Sequence, residues 1–255
     1  MNTIKISKGG AQMIGHAGLQ GLESPNTNAG FIAAGNRSYW GIETDVRVTK
    51  DKKIVVIHNS STLSITGIDK TVEESTLEEL QQLPVYDRPF FWDMKNYGLV
   101  PQEGKYRSDL RIPSLSEYVS ICKRYEKKAV LELKCPMAEE DLAAVVEEFR
   151  QQDYLEHAVF ISFYWDNLIS IRKYAPGQPV QYITDETFDF TDEFLDKAAQ
   201  QQIDQDVHIF AITEELISRI HARGLKVNCW TVDWPDKAER IARWGVDYIT
   251  SDILE

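Results

Sequence analysis

The chain has 255 residues, 43% of them hydrophobic, and a formal net charge of −12. That length lies within the range of a single α/β barrel and can bury a sizeable core. The acidic balance argues against a nucleic-acid partner, because phosphate backbones require a basic footprint, but not against a small anionic substrate, for which a bound cation can reverse the local field.

Cys122, Cys135 and Cys229 are too widely spaced for a zinc site and form no disulfide framework, so reduced thiols in a cytoplasmic protein are expected. Residues Met1 to Lys5 lack the apolar core of a signal peptide, and no apolar run is long enough to span a membrane. The oligomeric state leaves no mark in the sequence.

In chain order, β-type runs fall at Met13–His16, Trp40–Val46, Ile54–His58, Ala129–Lys134, Val159–Ser162, Val180–Ile183, Val207–Phe210, Lys226–Thr231 and Tyr248–Thr250. Several are continuously apolar, as strands covered on both faces are. Helical patterns lie between them. Ser75-Thr76-Leu77-Glu78 and Ser114-Leu115-Ser116-Glu117 match the capping-box spacing. After Thr213, Leu216, Ile217 and Ile220 share a face and the pattern ends near Gly224; another helix has Pro235 in its first turn and ends near Gly245.

This alternation predicts a (β/α)8 TIM barrel. No Gly-rich fingerprint follows the first strand to favour an open doubly wound sheet. Nine strand candidates are one more than eight staves, and Val207–Phe210 is the candidate for the surplus. Roughly seventy residues separate His58 from Ala129, more than a single crossover needs. The interval predicts a small subdomain, residues 60–112, inserted after the third strand and lying over the C-terminal face of a barrel domain that spans 1–255. Its aromatic group Phe90, Phe91, Trp92 and Tyr97 either lines a pocket or forms the insert's own core.

Barrel enzymes carry their functional residues at the C-terminal ends of staves. His16 ends the first strand, Glu43 and Asp45 the second, His58 the third, and Glu132 and Lys134 the fourth. Residues two apart on a strand share a face, so Glu43 and Asp45 present paired carboxylates, the oxygen ligands a hard divalent cation takes. A single strand-end carboxylate is most simply a solvated or loop-capping group; six ionisable groups on one rim are informative. Ser162 and Trp230 end later strands. His157, His208 and His221 fit surface or packing roles, Cys135 fits an inert thiol, and Glu139-Glu140-Asp141 fits favourable charge at a helix start.

His16-Ala17-Gly18, Ser24-Pro25-Asn26-Thr27, Ile42-Glu43-Thr44-Asp45-Val46, Val55-Val56-Ile57-His58-Asn59, Leu131-Glu132-Leu133-Lys134 and Trp230-Thr231-Val232-Asp233 occur in this order. Together they resemble the motif series of the glycerophosphodiester phosphodiesterases, within the phospholipase-C-like phosphodiesterase barrels, over nearly the whole chain. The resemblance implies metal-dependent hydrolysis of a small glycerophosphodiester to sn-glycerol 3-phosphate and an alcohol. It implies one divalent cation, Mg²⁺ or Ca²⁺, on Glu43, Asp45 and Glu132, with His16 and His58 as the acid and base pair. Lys134 and Trp230 are implied substrate contacts, for the phosphoryl charge and the glycerol; Asn59 and Arg47 are further candidates, Arg47 sharing the face of Glu43 and Asp45.

The chain also departs from the family pattern. Ala17 stands where the family has a phosphate-gripping arginine, Pro25 replaces a glutamate with Glu23 only nearby, Asn59 replaces an aspartate, and Asp233 an asparagine. An arginine's bidentate anion contact is not reproduced by lysine. A phosphodiesterase of altered specificity, acting on lysophospholipids or stopping at a cyclic phosphate, is therefore the alternative. A barrel that binds a phosphorylated ligand without turnover would have lost a histidine or a carboxylate, and all five are present.

Overall fold

The computed structural model describes residues 2–90 and 105–255. Its strands, in chain order, are β1 (Gln12–Gly15), β2 (Gly41–Val48), β3 (Ile54–Val56), β4 (Val85–Asp87), β5 (Lys105–Arg107), β6 (Lys128–Leu133), β7 (Ala158–Ser162), β8 (Val180–Thr184), β9 (Asp204–His208), β10 (Val227–Trp230) and β11 (Tyr248–Ser251). The helices are α1 (Asn28–Gly35), α2 (Leu63–Thr66), α3 (Leu77–Gln81), α4 (Leu115–Arg124), α5 (Glu139–Gln151), α6 (Trp165–Ile171), α7 (Asp192–Gln200), α8 (Glu214–His221) and α9 (Pro235–Arg243).

β1, β2 and β6 to β11 pair in parallel, and β1 bonds to both β11 and β2, which closes the eight-stave barrel. The predicted surplus strand is corrected here. Val207 belongs to a stave, β9, which begins three residues earlier at Asp204; the polar start Asp204-Gln205-Asp206 hides it from an apolar-run criterion. The one of the nine predicted strands that lies outside the ring is β3, antiparallel to β2 with Val46 opposite Val56. Only Thr49 to Lys53 connect them, and a parallel crossover needs about a dozen residues.

Side-chain alternation along β3 explains its apolar run. Ile54 and Val56 join the sleeve between staves and helices, whereas Val55 and Ile57 pack with Val72, Leu80, Leu83, Val85, Leu110 and Ile112 in a separate cluster. Within that cluster's segment β4 and β5 pair antiparallel, and Tyr86 stacks on Tyr106 at 4.5 Å. Ser24 Oγ ties the segment to the β1–α1 loop by donating to Tyr86 O and accepting from Arg88 N. Phe90 packs against the sleeve; Phe91, Trp92 and Tyr97 lie outside the described residues.

Helix ends follow their local chemistry. Ser114 and Glu117 form the predicted capping box on α4. The box on α3 is Thr76 with Glu79, one residue later than predicted, because Thr76 takes the extended cap conformation and Ser75 Oγ donates to Thr71 O. Gly224 and Gly245 adopt the left-handed backbone expected just past α8 and α9. No helix among the described residues is long and apolar enough to cross a membrane.

Glu255 locks the two ends of the described chain together. Its carboxylate accepts from Ser38 N and Ser38 Oγ, both at 2.7 Å, from Thr3 Oγ1, and pairs with Lys5 Nζ at 2.8 Å. Burial opposes the charge, but these donors outweigh it and hold the carboxyl down to about 2. A depressed carboxyl stabilises the fold above its unfolded pKa and loses that contribution as pH falls through the folded value. Glu255→Gln is therefore expected to cost about 2 kcal/mol at pH 7. In urea unfolding, the gap to wild type should narrow steadily below about pH 4.5.

Candidate active site

Parallel pairing of β2 with β6 sets Asp45 opposite Glu132, and strand alternation sets Glu43 on the same side. Ligand oxygens of Glu43, Asp45 and Glu132 lie within 4.8 Å of one another, and all three residues are buried. Lys134 Nζ sits 2.9 Å from Glu132 and 3.3 Å from Asp45.

Backbone and side-chain donors orient the carboxylates. Ala17 N–H donates to Glu43 Oε2 at 2.8 Å, and Asn26 Nδ2 donates to Asp45 Oδ2 at 2.7 Å. Ala17 (φ 46°) and Asn26 (φ 55°) both occupy the left-handed region. For alanine that conformation costs roughly 1 kcal/mol, strain of the kind that persists where surrounding contacts hold it. Thr44 Oγ1 in turn donates to Asn26 Oδ1.

The electrostatics favour a cation. Burial, with Asp45 beside it, pushes Glu43 up to about 7. Burial and Asp45 also raise Glu132 well above the carboxylate range. Asp45 resists burial because Lys134, His58 and the Asn26 donor hold it at about 2. Three buried carboxyls thus face one ammonium and the imidazole of His16. The excess of hard oxygen ligands fits a divalent ion.

The two histidines are supported differently. His16 Nδ1 lies 2.6 Å from Asp252 Oδ1, and its Nε2 is 4.0 Å from Glu43. Burial works against a charge on His16, but Asp252, then Glu43 and Asp45, outweigh it and push its pKa up to about 10. His58 Nδ1 meets Asn59 Oδ1 at 2.7 Å, and Asn59 Nδ2 donates to Ser64 Oγ. His16 and His58 border two cavities. An outer one of about 200 Å³ is lined by Ala17, Gln20, Asn26, Asn59, Ser64 and others. An inner one of about 160 Å³ reaches Glu43, Glu132, Lys134, Asp206 and Trp230.

The sequence pattern of the Glycerophosphoryl diester phosphodiesterase family matches residues 16–255. The chain belongs to that family. YhdW of Bacillus subtilis (strain 168) is 30% identical over 247 residues, covering 94% of this chain and 93% of YhdW. A glycerophosphodiester phosphodiesterase of Caldanaerobacter subterraneus subsp. tengcongensis is 26% identical, covering 94% and 93% of the two chains. An Oleispira antarctica phosphodiesterase, solved in complex with the product sn-glycerol-3-phosphate, superposes with a TM-score of 0.79 at 26% identity, covering 95% of this chain and 93% of its own. The (β/α)8 fold and the enzyme class expected from the motifs are thus those of this phosphodiesterase.

Of the sequence-predicted residues in this family member, one lies elsewhere. Arg47 borders neither cavity; its Nε donates to His58 O at 2.9 Å and its Nη1 to Glu73 at 3.0 Å. The reason is that β2 continues past the rim into its pairing with β3, where Arg47 stands opposite Val55. Arg47 therefore anchors the His58 loop. Trp230 lines the inner cavity, edge-on to Phe163 at 5.7 Å. Ser162 Oγ is spent on Leu133 O, and Glu23 pairs with Arg107. His157 stacks on Tyr154 and His221 pairs with Asp247, whereas His208 packs edge-on against Trp230 at 5.1 Å.

The family departures acquire structural meaning. Ala17 supports Glu43 through its amide, so losing the arginine side chain removes an anion contact without removing that support. Asp233 Oδ1 accepts from the Asp252 amide at 2.9 Å and from Ser251 Oγ at 3.1 Å, and so holds the loop that places Asp252. Asp252, Asn26 and Asp206 were not among the candidates. The signal for Asp252 was available: it directly follows a stave, where barrel enzymes carry functional residues.

Proposed function

We propose that this phosphodiesterase hydrolyses glycerophosphodiesters to sn-glycerol 3-phosphate and an alcohol, using one divalent cation, Mg²⁺ or Ca²⁺, at Glu43, Asp45 and Glu132. The carrying observation is three buried carboxylates within 4.8 Å beside two cavities that share His16 and His58. The product complex of the Oleispira antarctica relative supports the substrate class. The described part of segment 60–112 walls the outer cavity through Ser64 and Ile65, as an inserted subdomain would. Cysteines that are all free support a cytoplasmic location.

When bound, the cation supplies Lewis-acid stabilisation of phosphoryl charge. Lys134 adds to it, and Trp230 walls the glycerol. Asp252 stabilises the charged form of His16, which suits a proton donor; Asn59 accepts from His58 Nδ1–H without supplying charge and leaves Nε2 as a proton acceptor. His58 takes the proton of the glycerol hydroxyl as its oxygen attacks phosphorus. His16 gives a proton to the alcohol oxygen as its bond to phosphorus breaks, and a cyclic phosphate remains. The roles then reverse: His16 takes a proton from water as it attacks, and His58 returns one to the departing ring oxygen.

Phosphorus NMR of glycerophosphocholine turnover tests the reading. The expected result is sn-glycerol 3-phosphate formed with Mg²⁺ or Ca²⁺ and no turnover after chelation. Accumulation of a lasting cyclic phosphate would favour the lyase alternative, which Ala17 keeps in view. Undiminished turnover after chelation would rule out the cation.

A further inference from the structure

The inner cavity contains an acidic side chain that neither proton transfer nor the carboxylate cluster uses. Asp206 lies on β9, is 2% exposed, and lines the inner cavity with Glu43, Lys134 and Trp230. Its neighbour Val207 packs into the outer sleeve, so alternation turns Asp206 into the barrel. Asn228, whose Nδ2 also donates to Thr250 Oγ1 at 2.9 Å, hydrogen-bonds to the carboxyl. Asp206 Oδ1 has no hydrogen-bond partner among the described residues.

No cation of the cavity hydrogen-bonds to this group among the described residues: His16 acts on it only through space and is held by Asp252. Lys134 is held by Glu132 and Asp45 instead. The neighbouring walls include Ile161, Ile183 and Trp230. A buried carboxyl with unused acceptor capacity among such walls costs stability unless a ligand donates to it. His16 and Glu43 line one part of the cavity, where the proposed reaction places the phosphoryl group, and at about 160 Å³ it suits a short polyol.

We infer that Asp206 is a specificity-determining residue, whose carboxyl accepts a hydrogen bond from a free hydroxyl of the substrate's glycerol moiety. This deepens the proposed glycerophosphodiester activity and rests on it. The polyol end enters the inner cavity, and the alcohol to be released points toward the outer one. A phosphate ester without hydroxyls leaves Asp206 unanswered, and sites built to bond a hydroxyl reject analogues that lack it.

Calorimetric titration of sn-glycerol 3-phosphate and methyl phosphate, which share a phosphate and differ in the diol, tests this. Wild type is expected to prefer sn-glycerol 3-phosphate. Asp206→Val should lower that preference by about tenfold, as expected for one buried hydrogen bond, with methyl phosphate affinity nearly unchanged. The near-isosteric Asp206→Asn should show a smaller loss in the same direction, and carries the comparison if the valine variant does not fold. An unchanged preference, or equal losses for both ligands, overturns the inference. A wild type that binds both ligands equally also overturns it, while leaving hydrolysis standing. Failure of the activity itself is read separately, from the NMR assay.

Discussion

Glu43→Gln is expected to lower turnover of glycerophosphocholine by about a thousandfold or more, a loss of roughly 4 kcal/mol of transition-state stabilisation. Glutamine keeps an oxygen to accept from Ala17 N–H, so the loop after β1 stays in place and the loss reports the missing charge. The carboxylate it removes is one of three whose oxygens meet within 4.8 Å. Cation affinity should fall with activity, measured by titrating Mg²⁺ or Ca²⁺ into chelator-treated protein. Stability should move the other way. Burial and Asp45 both disfavour the charge on Glu43, so the neutral variant, stripped of metal, should melt a few degrees higher than wild type. Wild-type turnover together with wild-type cation affinity would eliminate Glu43 as a ligand.

His16→Ala and His58→Ala are each expected to lose about a hundredfold to ten-thousandfold in kcat/KM on glycerophosphocholine. The leaving group separates their roles. Choline needs a proton as its bond to phosphorus breaks, whereas p-nitrophenolate departs without one. On glycerol p-nitrophenyl phosphate, His16→Ala should recover most of its activity in the first, ring-forming step, and His58→Ala should not. Asp252→Asn should behave as a weaker His16 variant, down about ten- to a hundredfold on the choline ester and nearly normal on the p-nitrophenyl ester. Asp252 reaches the reaction only through His16 Nδ1, 2.6 Å away. A simple packing defect would depress both substrates alike, so equal losses would remove the proton-donor assignment.

Much of the site was legible because strand periodicity is local. Glu43 with Asp45, and Glu132 with Lys134, share faces for no reason beyond the two-residue repeat, and the cluster observed is composed of these four. The same rule misplaced Arg47. It assigned a face correctly but could not tell that β2 runs on past the rim to pair with β3. The stave β9 was misjudged because Asp206, a polar residue, faces the barrel interior, where apolar side chains are the expectation.

The sequence by itself determined the alternation of strands and helices, and it placed Glu43 with Asp45 and Glu132 with Lys134 on shared strand faces. Each of these follows from periodicity or spacing over a few residues. Only the tertiary structure decided which groups stand behind them. Asp252 meets His16 across 236 residues of chain because β11 pairs with β1 at the closure of the ring. Asn26 reaches Asp45 from a left-handed turn before α1. Asp206 shares a cavity with Glu43 because β9 lies across the barrel from β2. Contacts of this kind join residues far apart in sequence or on different elements, and no local pattern encodes them.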